Sequence, residues 1–201
     1  MVEDRRVRKT KNAIKQAFIK LLAEKELERI TIQDITTLAD VNRGTFYLHY
    51  EDKYILLSDL EDEILASLAD EIGTSKLVMQ DSNLEDFAKN FSKKILKNII
   101  LHIQKDIDFY LVIFKLDRKS QLEDKISELM YANMVKIISN KQKISGIPID
   151  YFHSYVSGAT ISFIKHWVQD NNRMKPNIVA DHLFKIIFNG PLRLMAKEQY
   201  K

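Results

Sequence analysis

Helical spacing of apolar residues, sustained along almost the whole chain, constrains the fold more than any other feature. Ile14, Ala17, Phe18, Leu21 and Leu22 follow the i, i+3, i+4, i+7, i+8 pattern of one helix face, so a helix is expected over about 10–25. Thr31 is a candidate N-cap for a short helix carrying Ile32, Ile35, Leu38 and Ala39 on one side. Asn42 is the next candidate cap, opening a helix through about His49. A further helix from near Asp52 carries Leu57, Leu60, Ile64 and Leu68 and stops at Gly73. The remainder reads as helices over about 84–104, 107–117, 120–141, 149–170 and 177–189. Pro148 and Pro176 fall at or just before helix starts, where a missing N–H is harmless. Gly146 and Gly190 mark turns, and 74–83 and 142–148 read as linkers. No segment alternates with period 2, and five Gly and three Pro are few breakers for 201 residues. The expected fold is all-α.

The chain has no cysteine, which excludes disulfides, thiolate metal sites and thiol nucleophiles. The first residues lack the apolar core of a signal peptide. The longest uncharged stretch, Tyr151–Ile164, is too short to span a bilayer. A cytoplasmic protein without a membrane partner is expected. No P-loop, Gly-rich dinucleotide turn or nucleophile elbow is present, and Gly73-Thr74-Ser75-Lys76 lacks the upstream glycines of a P-loop. No enzyme activity, cofactor or metal is therefore expected. His153 lies three residues after Asp150, and His166 lies four before Asp170; both read as surface pairs rather than metal ligands.

Charge is unevenly placed. Residues 1–50 carry ten Lys and Arg against seven Asp and Glu, which equals the whole net charge of +3. Arg5, Arg6, Arg8, Lys9, Lys11, Lys15 and Lys20 form a run without an intervening acid. Such clustering suits a nucleic-acid-binding end, although a solvated N-terminal arm has the same composition. Residues 51–72 hold eight acids and one Lys, and Glu61-Asp62-Glu63 reads as a solvated helix face.

The segment from Thr31 to Tyr50 reads as helix, tight turn, helix. Ile35, Leu38 and Ala39 can pack on Val41 and Phe46, with Leu48 completing the contact. The second helix then presents Asn42, Arg43, Gly44, Thr45, Tyr47 and His49. In a helix-turn-helix the first residues of the second helix meet base edges in the major groove. An Arg can bridge guanine O6 and N7, and a Thr methyl can meet that of thymine. Gly44 would let the backbone approach the duplex. Tyr47 and His49 suit phosphate, as would the Lys53 charge beside the free N–H groups of the next helix.

Gly44-Thr45-Phe46-Tyr47-x-His49-Tyr50-x-x-Lys53, preceded by Thr31-x-x-x-Ile35 and Ala39-x-Val41, resembles the TetR family of bacterial transcriptional regulators. The resemblance covers about residues 8–68. It implies a helix-turn-helix DNA-binding domain over 1–50 with its motif at 31–50, a linking helix over 51–73, and a helical ligand-binding and dimerisation domain over 74–201. It also implies a homodimer on a pseudo-palindromic operator and a small-molecule effector. The DNA-facing set falls on Thr31, Gln33, Asn42, Arg43, Gly44, Thr45, Tyr47, His49 and Lys53. Two positions depart from the family pattern: Asp40 stands where the turn usually has Gly, and Tyr54 where an acid often follows Lys53.

The C-terminal body, with an aromatic-rich 107–117 helix and with Tyr151, Gly158 and Trp167 ahead of Pro176, is similar to the C-terminal regions of members from Gram-positive bacteria. Phe109, Tyr110, Phe114, Tyr131, Tyr155 and Trp167 are candidates to line an effector pocket, which needs aromatic walls; aromatics at helical spacing also serve as core. Ser157, Gly158 and Ala159 with Ile161, Ile178, Leu183, Ile186 and Ile187 are candidates for a two-fold dimer interface, or for packing within the chain. A regulator working through protein partners, without reading DNA itself, is the alternative. The expected function is a ligand-responsive repressor.

Overall fold

A computed structural model describes residues 5–74, 91–116, 120–137 and 142–199. Among these the fold is nearly all helix, as the spacing predicts. Helix α1 spans Arg5–Glu24 and is followed by a 3-10 turn, Leu27–Arg29. Then come α2 (Ile32–Ala39), α3 (Arg43–Tyr47) and α4 (Lys53–Thr74). A π-helical turn, Phe91–Leu96, leads into α5 (Lys97–Lys105), followed by α6 (Ile107–Lys115) and α7 (Leu122–Ile137). Strands β1 (Lys143–Ile144) and β2 (Ile147–Pro148) precede α8 (Ile149–Gln169), α9 (Pro176–Asn189) and α10 (Pro191–Gln199). The parts of the expected 84–104 and 120–141 helices at 84–90 and 138–141, and the linker at 75–83, lie outside the described residues. Gly73 does not stop α4, which continues to Thr74.

Two features depart from the sequence reading. The expected linker 142–148 forms an antiparallel hairpin, with Lys143 opposite Pro148 and Ile144 opposite Ile147. Its two loop residues, Ser145 and Gly146, have φ of 51° and 84°, the positive values a tight hairpin loop requires. Helix α10 was not expected. It begins at Pro191 directly after Gly190, whose φ of 77° ends α9, so both chain-reversal signals are in the sequence.

The chain divides into two compact units, Met1–Ile64 with Asp108–Gln121, and Leu65–Ile107 with Leu122–Lys201. This division does not coincide with boundaries at 50 and 73: α4 gives its first half to one unit and its second half to the other. In the first unit, α1 packs on α2 and α2 on α3. The expected face of α1 is wholly buried (Ile14, Ala17, Phe18, Leu21 and Leu22), and it shares its unit with buried Ile35, Phe46 and Leu56. In the second unit, α5 packs on α9 and α7 on α8. Buried Ile100, Val168 and Val179 belong to that core.

Candidate nucleic-acid interface

Local chemistry fixes both helices of the 31–50 segment. Thr31 caps α2 in a reciprocal box: its hydroxyl accepts from Asp34 N–H at 3.1 Å, and its own N–H donates to Asp34 Oδ2 at 2.9 Å. These Thr31 backbone and hydroxyl bonds, with Lys25 nearby, hold the Asp34 carboxyl below its ordinary value. Asp40 ends α2 in the left-handed conformation, φ 53° and ψ 47°, the role the sequence assigns it in place of Gly. Asn42 Oδ1 then accepts from Gly44 N–H at 2.8 Å and caps α3.

The buried side of α2 is narrower than expected. Ile35 and Thr36 are buried, and the Thr36 hydroxyl donates to Gln33 O at 3.2 Å. Leu38, expected on the packing face, is exposed. Leu48 is 80% exposed and does not complete the contact. It is the C-cap of a five-residue helix, two residues after Phe46 and two before Tyr50, both buried.

Six of the nine expected DNA-facing residues are exposed: Thr31, Gln33, Asn42, Arg43, Gly44 and Tyr47. Thr45, His49 and Lys53 are half-buried. Arg43 and Tyr47 sit one turn apart, and an Arg43 guanidinium nitrogen donates to the Tyr47 hydroxyl at 3.2 Å. The guanidinium carbon also lies 5.6 Å from the Tyr47 ring centre. Gln33 Nε2 donates to Thr37 Oγ1 at 3.0 Å. A Cβ added at Gly44 would meet only Asn42 Oδ1, at the ordinary contact distance of 3.4 Å, so the fold itself does not demand glycine there.

Lys53 is placed differently from the phosphate contact expected of it. Its ammonium donates to the carbonyls of Leu27, Glu28 and Ile30 at 2.8, 3.0 and 2.8 Å. An ammonium has three N–H donors, and three acceptors are already in place. Two of the N–H groups at the start of α4 are also occupied: Asp52 Oδ1 accepts from Tyr54 at 2.7 Å and Ile55 at 2.8 Å. A helix start capped by its own carboxyl is a poor phosphate site. Tyr54, at the position that departs from the family pattern, is exposed within 5.4 Å of the Lys53 ammonium.

The basic run is also not uniform. Lys15 is 4% exposed and pairs with Glu63 and, at 2.8 Å, with Asp59. It serves the fold of this unit rather than its outer charge. Burial pushes Asp59 up, but the hydrogen bond and charge of Lys15, with the Tyr50 hydroxyl, outweigh it and hold this carboxyl below its ordinary value. Glu61, expected on a solvated face, is buried as well.

The other candidate sets divide. Phe109, Tyr110 and Phe114 are buried in the first unit, whereas Tyr131, Tyr155 and Trp167 belong to the second. Trp167 is a core residue whose indole N–H donates to Met174 O at 2.9 Å, and Tyr155 is 65% exposed. Of the dimer candidates, Ser157, Ile161 and Leu183 are buried within the chain and unavailable to a partner. Gly158, Ala159, Ile178, Ile186 and Ile187 are exposed, and among the described residues nothing beyond Gly158's chain neighbours and its own helix backbone comes within 4 Å of a Cβ added there. His153, expected to pair with Asp150, has its Nε2 2.9 Å from Ser127 O. Among the described residues, no group of three or more His, Cys, Asp or Glu is placed to hold a metal, and no helix is long and apolar enough to cross a membrane.

A short helix held across a left-handed turn from a capped helix, with its first residues exposed, defines a helix-turn-helix protein. Residues 14–60 match the family described as bacterial regulatory proteins, tetR family, and residues 90–189 match a transcriptional regulator C-terminal region. The chain belongs to the TetR family of bacterial transcriptional regulators. It is 26% identical over 185 residues to YxbF of Bacillus subtilis (strain 168), an uncharacterized HTH-type transcriptional regulator; the match covers 92% of this chain and 46% of that protein. The chain thus spans about half the length of that relative. It is similar to a TetR transcriptional regulator of Streptococcus agalactiae 2603V, with 26% identity, a TM-score of 0.63 and coverage of 93% of this chain and 98% of that one. The fold is also that of the fatty acid degradation regulator FadR of Bacillus halodurans, at a TM-score of 0.69, 17% identity and coverage of 90% and 96%.

Proposed function

We propose that the chain is a ligand-responsive repressor, without enzymatic activity, that binds a pseudo-palindromic operator as a homodimer in the bacterial cytoplasm and lies on the nucleoid when bound. The observation that carries this reading is the exposure of Asn42, Arg43, Gly44 and Tyr47 on a capped α3 with Thr31 and Gln33 exposed on α2. Arg43 has the donor geometry for a guanine edge, and Tyr47 for a phosphate. A dimer through the exposed residues of α8 and α9 (Gly158, Ala159, Ile178, Ile186 and Ile187) would set two α3 helices about 34–36 Å apart, one DNA turn. A small-molecule effector bound in the C-terminal helical region would act through α4, which runs without a break from Lys53 to Thr74. DNA and effector would then each weaken the other's binding by the same factor.

The test is fluorescence anisotropy of the protein on DNA from upstream of its own gene, across a salt series. The reading requires nanomolar, steeply salt-dependent binding that exceeds binding to unrelated DNA. Weak binding that is equal on all sequences sinks it for that DNA and turns attention to the second reading, a co-regulator that works through protein partners. The engagement of Lys53, Lys15 and the α4 N-terminus inside the chain favours that alternative, because it removes charge and donors from the phosphate-facing set.

A further inference from the structure

Leu48 is 80% exposed, the most of any large apolar side chain among the described residues, yet it is held in place. Its φ of −70° and ψ of −19° continue the turn of α3, and its N–H donates to Gly44 O at 3.2 Å. The N–H groups of His49 and Tyr50 both donate to Phe46 O at 2.9 Å. The leucine therefore belongs to a fixed turn, and ordering its backbone adds no cost when a partner arrives.

Helical geometry gives its direction. Phe46 and Tyr50, both buried, mark the inner side of this turn. At about 100° per residue, Leu48 falls about 180° from the line midway between them, the outermost point of α3. Gly44, one turn earlier, lies within about 40° of Leu48, and a Cβ added there would meet only Asn42 Oδ1. Arg43 and Tyr47 stand on one flank of this ridge, Thr45 and His49 on the other. The part of α3 that would reach deepest into a groove is thus an apolar side chain beside bare backbone, with polar groups to either side.

The major-groove edges of the bases carry donors, acceptors and one apolar group, the 5-methyl of thymine. Leucine set against a donor or acceptor strips its water and returns no hydrogen bond, which is costly. Set against the methyl, it removes apolar surface from water on both partners. Sugars are also apolar in part, but they line the walls of the groove, where the flanking Tyr47 and His49 would lie. We infer that Leu48 is a specificity-determining residue that selects a thymine in each half-site by contact with its 5-methyl group. The inference deepens the DNA-reading function proposed above and rests on it.

The experiment selects a duplex from a random-sequence pool with the full chain, then replaces each of its thymines in turn by deoxyuridine. Deoxyuridine pairs as thymine does and lacks only the 5-methyl group. Fluorescence anisotropy reads the affinity for each duplex. In the wild type, replacement at one position of a half-site is expected to weaken binding about fourfold, the effect of one methyl losing its burial. In Leu48→Ala that difference vanishes while differences at other thymines persist. In Thr45→Ser, which removes the other methyl that could meet thymine, the difference remains. Leu48→Ala should melt as the wild type does, because the side chain is exposed. Should it bind too weakly for duplexes to be compared, Leu48→Val, which keeps part of the side chain, is expected to narrow the difference. No deoxyuridine effect in the wild type, or an undiminished effect in the Leu48 variants, overturns the inference and leaves DNA reading intact. Equal weakening of Leu48→Ala on every duplex, with the deoxyuridine effect kept, places Leu48 against the sugars and overturns it as well. A wild type that enriches no sequence from the pool overturns DNA reading and the inference with it.

Discussion

The Lys53 ammonium donates to the Ile30 carbonyl at 2.8 Å and fastens the start of α4 to the chain between α1 and α2. The Leu27 and Glu28 carbonyls complete its set of acceptors. Lys53→Met keeps the aliphatic stem and loses all three bonds. Thermal denaturation is expected to show a loss of about 2 kcal/mol, in the range for hydrogen bonds to a charged group. Operator affinity should fall with it, while the slope of log affinity against log salt stays unchanged. A slope reduced by about one counterion would assign the ammonium to a DNA phosphate instead.

Gly44 separates binding from folding. Its added Cβ meets only Asn42 Oδ1 at 3.4 Å, so Gly44→Ala leaves stability unchanged or raises it by up to about 1 kcal/mol, the helix-propensity difference. If the α3 backbone lies against the duplex, the same methyl lowers operator affinity by about tenfold or more, because the backbone can no longer approach as closely. Parallel urea denaturation and anisotropy read the two effects. Unaltered affinity would place Gly44 away from the duplex.

Acid should unfold the protein through carboxyls that partners hold below their ordinary value of 3.8, Asp59 by Lys15 and Asp34 by Thr31. Because their folded values are depressed, their stabilisation is complete above the unfolded value and is lost as pH falls through the folded one. Melting temperature is therefore expected to be flat near neutrality and to drop below about pH 4. Asp59→Asn should melt lower at neutral pH and show a shallower drop. An unchanged acid profile in that variant would remove the Lys15 pair from the explanation.

Ile187 is exposed on α9, with Ile186 beside it, at the proposed two-fold interface. Ile187→Asp places a charge there, one turn beyond the buried Leu183 on the same side of the helix, so helix content and thermal stability are measured alongside. Sedimentation equilibrium should then show a monomer with native helix content and much weakened operator binding. A dimer that persists would move the interface elsewhere.

What the sequence made legible was local. Caps at Thr31 and Asn42, the left-handed turn at Asp40 and the inner face of α1 each depend on residues within a few positions, so spacing alone exposes them. The turns at Gly146 and Gly190 are equally local and legible, whereas the two-residue strands beside Ser145-Gly146 and the helix that starts at Pro191 are too short to show a period of their own. The settings of Lys53, Lys15 and Glu61 are not legible in the sequence, for a different reason. Their partners lie 23 to 60 residues away, and an isolated charge in a sequence looks the same whether it meets water, DNA or a buried acceptor. Leu38 and Leu48 erred the other way: apolar character suggested burial, but short helices have too little inward face to take every apolar residue. Phe109, Tyr110 and Phe114 were assigned to the C-terminal region by sequence order, while the chain carries them into the first unit.

The most direct test of the account compares Arg43→Ala, Tyr47→Ala and the wild type on the selected operator and on duplexes substituted at each base pair. Arg43→Ala is expected to lose about 1–3 kcal/mol of discrimination at one base pair of each half-site and to leave the others unchanged. Tyr47→Ala should weaken binding by a similar factor on every duplex, apart from any loss of order in Arg43, whose guanidinium its hydroxyl holds at 3.2 Å. Equal affinity of all three proteins for every duplex would contradict the assignment of α3 as the helix that reads DNA.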